Sequence, residues 1–234
     1  MSIREQVSRF AERNQTAPPA RLGQRFTRSE FLPEAGNTVV CHLDVEDPQH
    51  TRILDARSKM MALPGAQLFL MTPESSLHMT VFEGVIETRR TADGWPKDID
   101  RAAPVDAVTA SFLKRLADFS APEAFKLRVA GLYPMGIVLE GATDRDKAAL
   151  LKWRDAFADR FDFRHEGHET YRHHMTLGYA TGWLSDDQVG AWQAGLDAIL
   201  EELADGVFTV PLKAPAFCTF ADMTHFEERL VLSK

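Results

Sequence analysis

A three-residue word occurs twice in this chain. It is His78-Met79-Thr80 inside SLHMTVFEGV and again His174-Met175-Thr176 inside YRHHMTLGYA. Each copy sits in an apolar, alternating run of the kind that forms a strand. Side chains at i and i+2 of a strand point to the same face. His78 and Thr80 therefore share one face, and Met79 and Val81 take the other; His174 and Thr176 oppose Met175 and Leu177 in the same way. Each strand is expected to turn an imidazole and a hydroxyl to one side and to pack apolar side chains into a core on the other. Two such strands facing across a cleft would supply two titratable groups and two hydroxyl donors. That is equipment for acid–base chemistry on a phosphate.

The order of elements around the words also repeats. Strand 38–45, helix 48–63, the first word, helix 106–119 and hairpin 125–140 make one run. Strand 137–140, helix 144–161, the second word, helix 186–203 and strands near 207–210 and 215–220 make the next, and 229–232 closes the chain. Pro48 starts its helix and Pro64-Gly65 stops it. The repetition lies in element order and in the word, not in overall identity. It predicts a duplicated lobe, with 137–140 closing one unit and opening the next, and a pseudo-twofold axis where the words meet. Residues 1–36, broken by Pro18-Pro19, Pro33 and Gly36, read as an N-terminal extension lying over the body. Residues 37–234 read as a single bilobal domain with interleaved lobes and a repeat boundary near 137.

The chain has 234 residues, ample for a core. No apolar run approaches the roughly 20 residues that span a bilayer, so no membrane association is expected. The first residues, MSIREQVSRFAERNQ, are too charged for a signal peptide's apolar core. Cys41 and Cys218 both lie in apolar, strand-like runs and read as buried reduced thiols, which suits a cytoplasmic protein. A net charge of −7 excludes a global basic footprint for long nucleic acid. A small phosphorylated ligand held by a few local donors remains allowed.

A single His-x-Thr is a weak signal in a chain with eight histidines. His168-Glu169-Thr170 is such a hit, but it lies in the charged stretch HEGHETYRHH, which reads as loop. The other two share identical triplets, strand context and an apolar residue after the threonine (Val81, Leu177). This pair resembles the 2H phosphoesterase superfamily, which includes 2′-5′ RNA ligase-like proteins and cyclic nucleotide phosphodiesterases. The resemblance covers about residues 37–234. It implies a bilobal α+β fold, with two antiparallel sheets around a central cleft and helices on the outside. It further implies metal-independent, cofactor-free chemistry on a 2′,3′-cyclic phosphate or a 2′-5′ linkage. Members commonly carry Pro before the second histidine, where this chain has His173. The family also contains ligases and non-RNA phosphoesterases, so the substrate does not transfer.

Opening a cyclic phosphate needs a base to take a proton from water and an acid to protonate the departing ribose oxygen. His78 and His174 suit both parts, one starting neutral and one charged, and the sequence does not assign which. Thr80 and Thr176 are expected to donate hydrogen bonds to the non-bridging oxygens. The expected partner is a small phosphorylated nucleotide or an RNA terminus, and a bell-shaped pH profile should follow. Phe82 continues the cleft-facing parity and would stack a base or pack in the core. His42 shares its strand face with Val40 and Asp44 and would line the cleft or be a capped strand histidine. Tyr133 at a hairpin corner and Trp95 in the long loop are candidate stacking platforms. Tyr171 and Arg172 adjoin the second word and would reach a phosphate, whereas Arg89-Arg90 reads as a solvated pair. Two other readings compete. A metal hydrolase is suggested by the histidines of HEGHETYRHH, but that stretch lacks His-Glu-x-x-His spacing. A module that binds a nucleotide without turnover would not require two proton-transfer groups.

Overall fold

The computed structural model describes residues 2–204 and 208–233 of the chain. In chain order the elements are α1 (Ile3–Ser8), β1 (Gly36–His42), α2 (Thr51–Met61), β2 (Phe69–Met71), β3 (His78–Ile86), α3 (Val105–Leu116) and β4 (Leu127–Tyr133). There follow β5 (Gly136–Gly141), α4 (Asp144–Phe161), β6 (His174–Thr176), β7 (Gly178–Ala180), α5 (Asp186–Leu203), β8 (Ala216–Phe220) and β9 (Glu227–Val231). The long helices start where their caps dictate. Thr143 with Asp146 opens α4, and Ser185 with Gln188 opens α5, each as a reciprocal capping box. After α2 the chain turns through Gly65 at φ +85, a left-handed conformation that glycine adopts without a Cβ penalty.

The fold is α+β with two antiparallel sheets. The larger has seven strands in the order β4-β5-β6-β3-β1-β8-β9, and the smaller pairs β2 with β7. The two His-Met-Thr strands are neighbours in the larger sheet rather than facing each other across two. They pair antiparallel at Met79 and Met175. That register sets His78 opposite Thr176 and Thr80 opposite His174, with all four on one face. About this seam, β1-α2-β3-α3-β4 and β5-α4-β6-α5-β8 take matching places. The last strand of each run crosses over, so that β4 pairs with β5 and β8 pairs with β1.

Alternation along the strands divides the buried side chains between two faces. Val39, Cys41, Met79, Ile137 and Met175 join Val108, Phe112, Phe157 and Leu196 of the helices in the main core. Val40, Ala216, Cys218 and Phe220 form a smaller cluster with Met223 and Phe226. Helix α1 packs on α5 and β4 and buries Ile3 and Val7 in the main core. Further along the N-terminal segment, Phe26 and Phe31 pack against Tyr179.

The structure departs from the sequence expectations in places. Val207 of the expected 207–210 strand lies outside the described residues. Residues 208–210 make no strand, although the Val210 N–H donates to the Leu127 carbonyl at 2.8 Å. Trp95 is no stacking platform. It is buried under the Arg90 guanidinium at 4.5 Å, and its indole N–H donates to the Asp100 carbonyl. His168–Thr170, expected as loop, forms one turn of 3₁₀ helix with His168 buried. Among the described residues, no helix is long and apolar enough to cross a membrane, and both cysteines are buried and free.

Candidate active site

The seam between β3 and β6 forms the floor of a cavity of about 260 Å³, lined by His78, Thr80, His174, Thr176 and Tyr171. Both imidazoles are held in the same way. His78 Nδ1 lies 2.7 Å from the Ser76 carbonyl, and His174 Nδ1 lies 3.0 Å from the Arg172 carbonyl. A carbonyl only accepts, so each Nδ1 carries a proton and donates it to the backbone two residues upstream. This leaves Nε2 as the nitrogen each ring presents to a ligand. The two words thus arrive with matched tautomers as well as matched strands.

Their surroundings differ. The His78 ring lies 4.1 Å from Phe226 and 6.3 Å from His42, centroid to centroid. Burial pushes its pKa down to about 4; the neighbouring His42 and His174 act in the same direction, and the Ser76 carbonyl opposes them. His174 instead has Tyr133 edge-on at 6.4 Å. The Tyr133 hydroxyl is hydrogen-bonded to the Thr176 side chain, and burial pushes it up to about 12, so it stays protonated. Gly136 makes room for that ring, because a Cβ there would fall 1.9 Å from it.

Beyond the words the parity changes. Val39 pairs with Phe82 but Val40 pairs with Thr80, so Val81 is an extra residue, a β-bulge. The bulge turns Phe82 away from the cavity. Its ring is 0% exposed and packs with Phe157, Phe161 and Phe163. Phe82 is therefore a core residue and not a base-stacking platform; Glu83 takes the cavity position instead. The second word repeats the break. The N–H groups of Leu177 and Gly178 both donate to the Met135 carbonyl, at 2.9 and 3.2 Å, and Tyr179 is the next cavity residue. Arg154 secures the first bulge from behind: its Nη1 donates to the Val81 carbonyl at 2.7 Å while its guanidinium covers the Tyr171 ring at 4.0 Å.

Glu83 pairs with Arg89 at 2.6 Å. Burial raises this carboxyl's pKa, but Arg89 outweighs it and, with His165 and His174 acting in the same direction, holds the group below the usual carboxylate range. Arg89 is therefore part of the cavity wall, not a solvated charge. His42 sits opposite His78 on β1 and bonds Glu228 at 3.1 Å beside the cavity lining. Arg172 does not face the cavity. Its exposed side chain lies in a neighbouring groove with Tyr133, and its contribution is the carbonyl that orients His174. The histidines of HEGHETYRHH are dispersed: His165 bonds the Glu83 carbonyl at 2.7 Å, His168 bonds Asp155 at 3.0 Å, and His173 is buried beside Tyr171. Among the described residues, no group of three or more His, Cys, Asp or Glu is placed to hold a metal ion.

Among the cavity residues that escaped the sequence are Glu83, Tyr179, Arg21 and Arg25. The first two depend on the bulges. The arginines belong to an irregular segment with no periodicity to orient them.

A family model described as 2H-phosphodiest, domain of unknown function (DUF1868), matches residues 25–138. That stretch contains the first word and stops short of the second. A crystal structure described as the conserved protein of unknown function ATU0111 from Agrobacterium tumefaciens is 43% identical, with a TM-score of 0.94. The match covers 97% of this chain and 98% of that one. No curated protein matches the chain.

Proposed function

The chain belongs to the 2H phosphoesterase family, and we propose that it is a phosphodiesterase acting by two-histidine acid–base catalysis. The substrate in this reading is a 2′,3′-cyclic phosphate or a 2′-5′ linkage on a small nucleotide or an RNA terminus. One observation carries it: two imidazoles, each with Nδ1 tied to the backbone, meet two threonines at one cavity across the β3–β6 seam. For a cyclic phosphate, the base takes a proton from water as the water oxygen attacks phosphorus. The P–O bond to one ribose oxygen then breaks, and the acid gives that oxygen its proton. Thr80 and Thr176 donate to the non-bridging oxygens, where charge builds. Tyr133 steadies the Thr176 hydroxyl through the bond they share. A cavity of about 260 Å³ suits a compact ligand or a chain end. Two free, buried thiols fit a cytoplasmic setting.

The test is turnover of nucleoside 2′,3′-cyclic phosphates and 2′-5′ dinucleotides by the wild type, His78→Ala and His174→Ala. Each substitution is expected to lower kcat by about 10²–10⁴ with the far-UV spectrum unchanged. A near-normal rate in either variant would sink the mechanism. Absence of wild-type turnover on every substrate would favour a binding module.

A further inference from the structure

The cavity carries more positive charge than one phosphate between two histidines uses. We propose that Arg21 and Arg25 form a second phosphate subsite, so that the preferred ligand is a nucleotide bearing one phosphate at the histidines and another at its far end. The inference rests on the reading above for the first phosphate and extends it to the class of substrate.

Both arginines come from the segment before β1, yet they line the same cavity as His78 and His174. Glu34 anchors them. Its side chain is 1% exposed, and it accepts from Arg21 Nη1 at 3.3 Å and from Arg25 Nε. A staple that merely fastened the segment would balance with one cation. Here one buried carboxylate meets two guanidiniums, so one positive charge is left over at the wall of a chain whose net charge is −7. The side chains are 37% and 17% exposed, open enough for a ligand to reach their remaining donors. Arg89, the other cavity arginine, already has Glu83 for its charge.

The backbone holds this arrangement at a cost. Arg21 sits at φ +69, a left-handed conformation that a long side chain seldom adopts and that tends to persist where the surroundings enforce it. The N–H groups of Gln24 and Arg25 both donate to its carbonyl, at 3.0 and 2.9 Å, closing a tight loop. Two aromatic rings, Phe226 and Tyr179, also line the cavity. Phe226 packs on His78, and Tyr179, hydrogen-bonded to Arg25, packs on Phe26. A cavity lined by the two histidines, a guanidinium pair and aromatic rings matches a nucleoside that carries two phosphates.

Isothermal titration at low salt tests the subsite without requiring turnover. Adenosine 2′-phosphate is compared with adenosine 2′,5′-bisphosphate, and the 3′-phosphate with the 3′,5′-bisphosphate. The wild type should bind at least one bisphosphate about tenfold or more tightly than its monophosphate. That ratio should fall to about threefold or less in Arg21→Ala. It should fall likewise in the triple variant Glu34→Gln, Arg21→Met, Arg25→Met, which leaves no buried carboxylate unpaired. Equal wild-type affinities for both pairs, or a ratio that survives in both variants, overturns the subsite. A wild type that shows the ratio but opens no cyclic phosphate keeps the subsite and loses the phosphodiesterase reading. A wild type that turns over with a ratio of one does the reverse.

Discussion

His78 and His174 are alike in sequence and in anchorage but not in environment, and the difference divides their roles. Two identical imidazoles make a poor acid–base pair; catalysis needs one neutral and one charged at the same pH. Phe226 and the neighbouring His42 surround His78, and burial drives its pKa to about 4. It is therefore neutral at pH 7 and fit to accept a proton from water. With His78 as the base, the acid of the pair is His174 by exclusion. The sign of the pH dependence follows. Protonated His78 is the inactive base, so kcat/KM should fall as pH drops through about 4 and not through the reference value near 6.5. Initial rates on a verified substrate at constant ionic strength check this. An acidic limb centred near pH 6.5 and abolished by His78→Ala would assign His78 the opposite environment.

At the scale of elements, what the sequence made legible was local and what it hid was pairwise. Helices α4 and α5 span the expected 144–161 and 186–203, and each start is local, since Thr143 and Ser185 accept from N–H groups of their own first turns. The alternation of β3 likewise gives the correct faces for His78, Met79 and Thr80. It fails at Phe82, because the bulge at Val81 is defined by how β3 registers on β1, about forty residues upstream in sequence. The adjacency of the two words, as opposed to their facing each other, is also a matter of strand pairing and leaves no trace in either word. The N-terminal helix ends at Ser8, and a 3₁₀ turn at Glu12–Asn14 follows it. The bulge has a measurable consequence. Since Phe82 packs among Phe157, Phe161 and Phe163, Phe82→Ala should destabilise the protein by about 3–5 kcal/mol. The KM of the protein that remains folded should not change. Denaturant titration with steady-state kinetics separates the two effects. A KM raised severalfold at little cost in stability would return Phe82 to the ligand.

The molecule as a whole repeats its strand order about the seam, yet neither half possesses its own sheet. The closing strand β4 hydrogen-bonds to β5 and β8 to β1, so each half completes the sheet of the other. The main core runs through strands and helices of both halves, and α1 adds Ile3 and Val7 to it. Helix α1 is too short to be stable alone, so its order depends on packing against α5 and β4. Losing either half would strip hydrogen-bonding partners and apolar cover from the other. The expectation is one cooperative unfolding transition, with calorimetric and van't Hoff enthalpies equal. The N-terminal segment should melt in that same transition. Val7 is fully buried in the main apolar core, and Val7→Asp places a carboxyl among its apolar side chains, at a cost of several kcal/mol. It should therefore lower the single midpoint, with no separate early phase. Two resolved transitions in the wild type, or a Val7→Asp protein with an unchanged midpoint, would mean that the segment bearing Arg21 and Arg25 is laid on the body without being built into it.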